Sequence, residues 1–306
     1  MKIARWRWAI GLSAIGIFIT TLAITFLLYP ISYFGQYQRL QRLLSHTQSS
    51  SVRVDGIWIH YNIQGPPNGT PVVLVHGLGG SAEDWSEMAP YLSRAGYRVY
   101  MPDLPGFGAS ERPVNFSYSM SDQATVLVDY LDIMGLKQID LGGWSMGGWI
   151  AQLVAARYPE RIHRLMLIDS AGLRFVPDWD TRLFMPTSPQ QLSQLNAVLM
   201  THPRPIPGYI ARAVLRTASQ QAWIMRRSID SMMTGSDATD KLLPSLKMPV
   251  LLLWGSEDHI TPLKLGQTMH AMIPHSELDV FDGCDHMGPR LCAAKMAPKV
   301  VNFIRP

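Results

Sequence analysis

The segment Gly142-Gly143-Trp144-Ser145-Met146-Gly147-Gly148 sets one serine between two pairs of glycines. Glycine weakens a strand or a helix interior, so its repeated use here predicts a backbone too tight for a Cβ. The G-x-S-x-G core, Gly143 to Gly147, predicts a strand that breaks sharply into a helix with Ser145 at the apex. A serine hydroxyl is a weak nucleophile. It needs a histidine to take its proton and a carboxylate to fix the tautomer of that histidine. Downstream, "SEDHITP" offers Asp258 and "GCDHMGP" offers His286. Asp169 is the rival acid, and Asp258 has the alternative role of a helix N-cap ahead of Thr261 and Pro262. His259 and His275 are weaker candidates for the base, because neither directly follows the last apolar strand.

These residues need elements to position them. "VRVDGIWIHYNIQG" alternates faces like a hairpin. "PVVLVHG", "YRVYMPD", "KQIDLGGW", "RLMLID", "VLLLWG" and "ELDVFDG" read as strands. Between them lie helical stretches at about Glu83–Ser93, Ser121–Met134, Gly148–Tyr158 and Leu263–Met272, with a last helix at the C-terminus. Strands alternating with helices imply an α/β fold with a mostly parallel sheet covered on both faces. Ligands on such sheets sit beyond the carboxyl ends of the strands. His76, Asp103, Ser145 and Asp258 all fall at such ends.

The alternation fails between Asp169 and Met248. That stretch is rich in Pro, Met, Leu and aromatics and is too long for a structureless loop. It reads as an inserted helical cap, residues 171–248, dividing a core made of 52–170 and 249–306. Helices packed to one side without a role in binding are the alternative.

At the N-terminus, residues 9–29 read "AIGLSAIGIFITTLAITFLLY", without a charge. A spanning helix needs about 20 such residues, and no small-residue cleavage site follows. The expectation is an uncleaved membrane anchor over residues 1–29, with a cleaved signal or a buried soluble helix as the alternatives. Lys2, Arg5 and Arg7 supply three of the net +4 charges, which favours a cytoplasmic N-terminus and a catalytic domain on the far face, periplasmic in a bacterium. Tyr33, Tyr37, Leu40 and Leu44 recur at helical spacing. They predict a juxtamembrane helix, lying in the bilayer interface or packed on the globular domain, and "SHTQSSS" reads as a linker closing the segment at residue 51. Self-association through these N-terminal helices is a further expectation.

Composition excludes some classes. The charge left beyond the N-terminus is too small for a nucleic-acid-binding stripe. Two cysteines, Cys284 and Cys292, form neither a disulfide framework nor a metal cluster. They read as free thiols, with pairing as the alternative in an oxidising compartment. No HExxH or CxxC occurs, and neither a metal nor a cofactor is expected. Gly77, Gly79 and Ala82 after a strand, with Asp103 ending the next, make a passable dinucleotide fingerprint. That reading leaves the serine motif, Asp258 and His286 without a purpose.

The chain resembles the α/β-hydrolase family over about residues 52–306. The resemblance rests on His76-Gly77-Leu78-Gly79, on Asp103 to Gly108, on Gly143 to Gly147, and on Asp258 and His286. The anchor, "DSAGL" at Asp169–Leu173 and the cap behind it are most similar to membrane-anchored monoacylglycerol lipases and bacterial inner-membrane phospholipases. The resemblance implies Ser145 as nucleophile, Asp258 as orienting acid and His286 as base. It implies an oxyanion hole from the backbone N–H groups of Leu78 and Met146, and a lipid or other acyl-ester substrate met at the bilayer. It also admits a carbon–carbon bond hydrolase, a small-ester carboxylesterase or, remotely, a non-catalytic binding protein. Trp85, Phe107 and Trp144 are candidate pocket walls. His76 is expected to prop the oxyanion loop and Asp103 to cap the turn through Gly106 and Gly108. Asp285, where relatives usually carry glycine, is placed to perturb the base.

Overall fold

The computed structural model describes residues 19–305. Eight strands form one sheet: β1 Gln48–Val54, β2 Ile57–Gln64, β3 Thr70–Val75, β4 Tyr97–Pro102, β5 Ile139–Trp144, β6 Ile162–Ile168, β7 Val250–Gly255 and β8 Ser276–Phe281. Their order across the sheet is β1-β2-β4-β3-β5-β6-β7-β8. β1 with β2 and β2 with β4 pair antiparallel, and every later pair is parallel. This is the α/β-hydrolase architecture. β1 begins at Gln48, three residues into the stretch expected as linker, because Gln48 to Ser51 pair with His60 to Ile63. Ladder hydrogen bonds outweigh the polar, turn-like composition of "SHTQSSS".

The strand period of two divides the core between the faces. Val73 and Val75 of β3, with Val250, Leu252 and Trp254 of β7, bury on one side beside the helices Met120–Ile133 and Met146–Arg157. Val72, Leu74, Leu251 and Leu253 bury on the other, beside Ala89–Arg94 and Ala293–Phe303. Two covered faces explain why the central strands are continuous apolar runs.

Between β6 and β7 the chain leaves the sheet and builds two longer helices, Pro189–Leu199 and Gly208–Thr234. Ser188 caps the first by accepting from the N–H of Gln191 at 3.2 Å, and Gly235, with φ +64°, closes the second in the left-handed region.

Ten of the 21 residues expected as an anchor, 9–18, lie outside the described residues, as do the charges at Lys2, Arg5 and Arg7. Residues 19–28 are helical, and Pro30–Leu44 forms a second helix behind Tyr29. Among the described residues no helix is long and apolar enough to cross a membrane. Of the two alternatives for the second helix, the structure shows the one packed on the globular domain. Arg42 pairs with Glu83, and Phe26 packs its ring on Tyr209 of the long insertion helix at 5.7 Å. Phe34, Tyr37, Leu40, Leu43 and Leu44 stay exposed.

Candidate active site

The turn after β5 requires its glycines. A Cβ on Gly143 would strike the carbonyl of Gly147, and one on Gly147 the carbonyl of Val75. Helix Met146–Arg157 therefore starts pressed against β3 and β5. Ser145 pays with φ +55°, a region costly for any residue with a Cβ. The strain is held by neighbours: the Ser145 N–H donates to the Ile168 carbonyl at 3.1 Å, and its carbonyl accepts from Ala171 N at 3.1 Å.

Ser145, His286 and Asp258 come from three strand ends and converge. His286 Nε2 lies 3.0 Å from Ser145 Oγ, and His286 Nδ1 lies 2.8 Å from Asp258 Oδ2. All three are buried, at 8%, 3% and 5% exposure, so their hydrogen bonds operate with little competition from water. Asp258 is over-determined: Oδ1 accepts from the N–H groups of Ile260 and Thr261 at 2.8 and 2.9 Å, and Oδ2 accepts from Thr261 Oγ1 at 2.7 Å. The N-cap alternative is not realised, since the next helix, Leu263–Met272, begins after Pro262 without a side-chain cap; the carboxylate closes its own loop and meets the imidazole.

Asp169, the rival acid, is fully buried beside the site without touching His286. Its Oδ1 accepts from Gly255 N–H at 2.8 Å, and its Oδ2 has no hydrogen-bond partner among the described residues. Burial first, then the negative charge of Asp258, push its pKa well above the ordinary carboxyl value. A neutral acid that cannot reach the imidazole does not orient it.

The loop after β3 lies against the serine, since a Cβ on Gly77 would sit 3.2 Å from Ser145 Cβ. His76 props it as expected: Nδ1 donates to the Gly77 carbonyl at 2.8 Å while Nε2 accepts from Leu104 N–H at 3.0 Å. Leu78 lines the cavities at Ser145. Met146 opens a helix, where N–H groups have no intrahelical partner. Asp103 ties the neighbouring loops, accepting from Ala109 N–H at 2.7 Å and from Ala82 N–H at 2.5 Å and pairing with His60 Nδ1 at 2.8 Å. Burial would raise its pKa. The His60 hydrogen bond, the nearby His76 and the two N–H donors outweigh burial and lower it.

Two of the three aromatic candidates are corrected. Trp85 is wholly buried under the sheet with Leu74, Met88 and Leu92, and Phe107 is buried on the other face with its ring 5.6 Å from His76. Both are core: Trp85 ends the short 3-10 helix Ala82–Trp85 with its ring fully covered, and Phe107 is covered as well. Trp144 does line a cavity beside Ser145, and its Nε1 donates to the His286 carbonyl at 2.8 Å.

The free-thiol expectation is also corrected. Cys284 and Cys292 are joined in a disulfide, with Cα atoms 6.1 Å apart. The loop through His286 and the short helix Gly288–Leu291 folds back on itself, bringing together two cysteines that the sequence separates by eight positions. Asp285 does not contact the imidazole. Its Oδ1 accepts from Met287 N–H at 3.0 Å and its Oδ2 from Thr201 N–H at 3.1 Å, fastening the histidine loop to the insertion. Thr261 went unnoticed in the sequence. Its signal was its place three residues after Asp258, where a hydroxyl can bond back to the carboxylate.

Two cavities meet at Ser145, Leu78 and Phe184. One, of about 350 Å³, runs between the sheet edge and the insertion and is lined by Leu173, Phe175, Trp179, Ile229, Met232 and other apolar side chains. The other, of about 280 Å³, lies on the His286 side and includes Trp144, Leu192, Met225, Asp84 and Arg290. No group of three or more His, Cys, Asp or Glu side chains able to hold a metal occurs among the described residues.

A profile of the α/β hydrolase fold matches residues 70–200, in agreement with the sheet order and the site geometry. The chain is a hydrolase of α/β fold, similar to lipases and phospholipases. Lipase 1 of Psychrobacter immobilis is 29% identical over 250 residues, 74% of each chain. The 2-hydroxymuconate semialdehyde hydrolase of Pseudomonas putida is 29% identical over 256 residues, 79% of this chain and 90% of its own. The solved structure of a membrane phospholipase A, a bacterial virulence factor, superposes with a TM-score of 0.79 at 26% identity, covering 97% of this chain and 99% of its own.

Proposed function

We propose that the chain is a membrane-anchored serine carboxylic-ester hydrolase that cleaves acyl esters of lipids through an acyl-enzyme on Ser145. The observation that carries this reading is the unbroken run of hydrogen bonds from Asp258 through His286 to Ser145 Oγ, set at the mouth of an apolar cavity. His286 takes the serine proton as Oγ attacks the ester carbonyl. The N–H groups of Leu78 and Met146 receive the oxyanion, where one such donor is worth about 3 kcal/mol of barrier. The ester C–O bond breaks, His286 returns the proton to the leaving alcohol, and water then repeats the sequence to free the fatty acid. Asp258 holds the imidazole tautomer throughout.

The larger cavity suits an acyl chain, which gains about 0.8 kcal/mol per buried CH₂. The lipase and phospholipase relatives support a lipid substrate. The disulfide supports a domain on the oxidising side of a membrane, with residues 9–29 as the anchor and the N-terminus cytoplasmic. The exposed apolar side chains of Ile19 to Leu44 fit a surface at the bilayer interface, where self-association through the same helices has room to occur. The Pseudomonas putida relative favours a second reading, a carbon–carbon bond hydrolase with the same three residues.

Purified protein assayed on monoacylglycerols, lysophospholipids, diacyl phospholipids, p-nitrophenyl esters and a 2-hydroxy-6-oxodienoate decides between them. Lipid esters turned over at least tenfold faster than the dienoate are expected. The opposite ranking transfers the site to carbon–carbon chemistry.

A further inference from the structure

The smaller cavity holds a feature that ester cleavage does not require. Arg290 lies four residues beyond His286, on the short helix Gly288–Leu291, and lines that cavity together with His286, Trp144 and Ser145. Its guanidinium carries five N–H donors. The one ion pair recorded for it is Nη1 with Asp84 Oδ1 at 3.5 Å, too long for a tight hydrogen bond, and its side chain stays 44% exposed. Among the described residues no other acceptor holds it. The other oxygen of Asp84, Oδ2, accepts from Ser81 N–H at 2.9 Å, so a single carboxylate oxygen faces Arg290. Burial, its largest influence, raises the Asp84 pKa, while the Ser81 hydrogen bond and Arg290 lower it.

Arg290 also lines a third cavity, of about 180 Å³, beneath helix Pro30–Leu44, with Phe34, Tyr37, Arg42 and Glu83. In that cavity Arg42 is paired with Glu83, whereas Arg290 keeps most of its fork open. Arg290 therefore stands where a space under the N-terminal helix adjoins the space on the leaving-group side of the nucleophile. An apolar cavity and a leaving-group cavity that meet at one serine give the substrate a direction. The acyl chain occupies the first and the alcohol portion the second.

We infer that Arg290 is a specificity-determining residue that binds the phosphate of a glycerophospholipid leaving group, making lysophospholipids and phospholipids preferred over uncharged monoacylglycerols. The inference rests on the ester-hydrolase reading above and names its leaving group. A planar fork suits a phosphate diester through two N–H···O contacts, and a neutral glycerol gives it nothing to neutralise. In the reaction the bond broken is the acyl C–O bond. The departing glycerophosphodiester takes its proton from His286 while its phosphate stays on Arg290 until release.

The test compares kcat/KM on lauroyl lysophosphatidylglycerol and on monolauroylglycerol, which share an acyl chain, in detergent-matched micelles. The readout is the ratio of the two. The wild type is expected to favour the phospholipid. Arg290→Gln is expected to lower the ratio at least tenfold, and Arg290→Lys to restore part of it, because charge returns without the fork. sn-Glycerol 3-phosphate should inhibit the wild type more strongly than inorganic phosphate, and this difference should shrink in Arg290→Gln. A ratio unchanged within twofold in Arg290→Gln overturns the inference, including the case in which both activities fall together because Arg290 only supports the loop. Equal inhibition by inorganic phosphate and glycerol phosphate, with the ratio unchanged, assigns Arg290 to free anions and overturns it too. Absence of turnover on both lauroyl lipids with retained dienoate cleavage would instead defeat the ester reading itself.

Discussion

The sheet edge that carries Ser145, His286 and Asp258 and the insertion that roofs it are built on opposite principles. At the edge, each of the three side chains is buried and bonded to the next, and glycines at positions 143 and 147 leave no room for displacement. In the insertion, helix Pro189–Leu199 buries only Leu192, and the 27-residue helix Gly208–Thr234 buries only Ala211, Ala213, Ile224, Ser228 and Ile229. Much of its apolar surface is half-buried and faces the cavities or helix Pro30–Leu44. A rigid edge holds reacting atoms to within a fraction of an ångström, as catalysis needs. A roof with few fully buried contacts has little local stability to lose on opening, as entry of the proposed acyl chain needs.

The comparison breaks hardest at the edge. Asp258→Asn should lower kcat by about 10⁴-fold by presenting the wrong imidazole tautomer, and His286→Ala should do comparable harm, with circular dichroism unchanged in both. Steady-state rates on p-nitrophenyl butyrate check this. A loss under tenfold in Asp258→Asn would make the edge less exacting than the geometry indicates.

At the roof and its N-terminal support, effects should depend on the substrate. Removing residues 1–18 keeps the Phe26–Tyr209 packing. It should leave short soluble esters within twofold while lowering turnover of long-chain lipids in vesicles by about tenfold, through lost effective concentration at the surface. Equal losses on both substrates would show that the segment supports the fold.

The disulfide braces the edge from outside the insertion: Cys284 precedes the base, and Cys292 stands at the start of the last helix, Ala293–Phe303. The paired change Cys284→Ser with Cys292→Ser should lower kcat several-fold with KM nearly constant, as His286 samples more positions. An unchanged kcat would mean that Trp144 and Asp285 alone hold the loop.

How much of this the sequence made legible follows the same division. Ser145, Asp258 and His286 could be named because each ends a strand whose apolar run is readable, and chain order supplied the rest. The insertion was legible only as a break in the alternation, because no strand pattern occurs between Asp169 and Met248 and nothing in the sequence states where its helices lie against the sheet edge. Trp85 and Phe107 misled for a related reason: an aromatic just beyond a strand's carboxyl end is equally compatible with a pocket wall and with core, and only the direction of the side chain decides. Cys284 and Cys292 could not be paired from spacing, since the fold-back of Gly288–Leu291 brings them together. Asp169 and Asp258 both follow strands. What separates them is the reach of a side chain to an imidazole, which no pattern encodes.

The smallest effect expected is at Asp169. Its raised pKa means that the folded state holds the proton more tightly than the unfolded chain. Stability from this group is therefore full below the ordinary carboxyl pKa of about 4 and is lost as pH rises toward the folded value. Asp169→Asn removes that loss. The variant should keep activity within about threefold and gain thermal stability relative to wild type as pH rises from 5 to 8, as melting curves across that range would show. A stability difference that shrinks with rising pH would reverse the assignment of the buried proton.

The central claim is that Ser145 is the nucleophile and that His286 activates it. Mass spectrometry after reaction with a fluorophosphonate tests it most directly. The account predicts a single adduct, mapped to the peptide containing Ser145, absent in Ser145→Ala and formed at least a hundredfold more slowly in His286→Ala. An adduct on any other residue, or none on the folded wild-type protein, would contradict it.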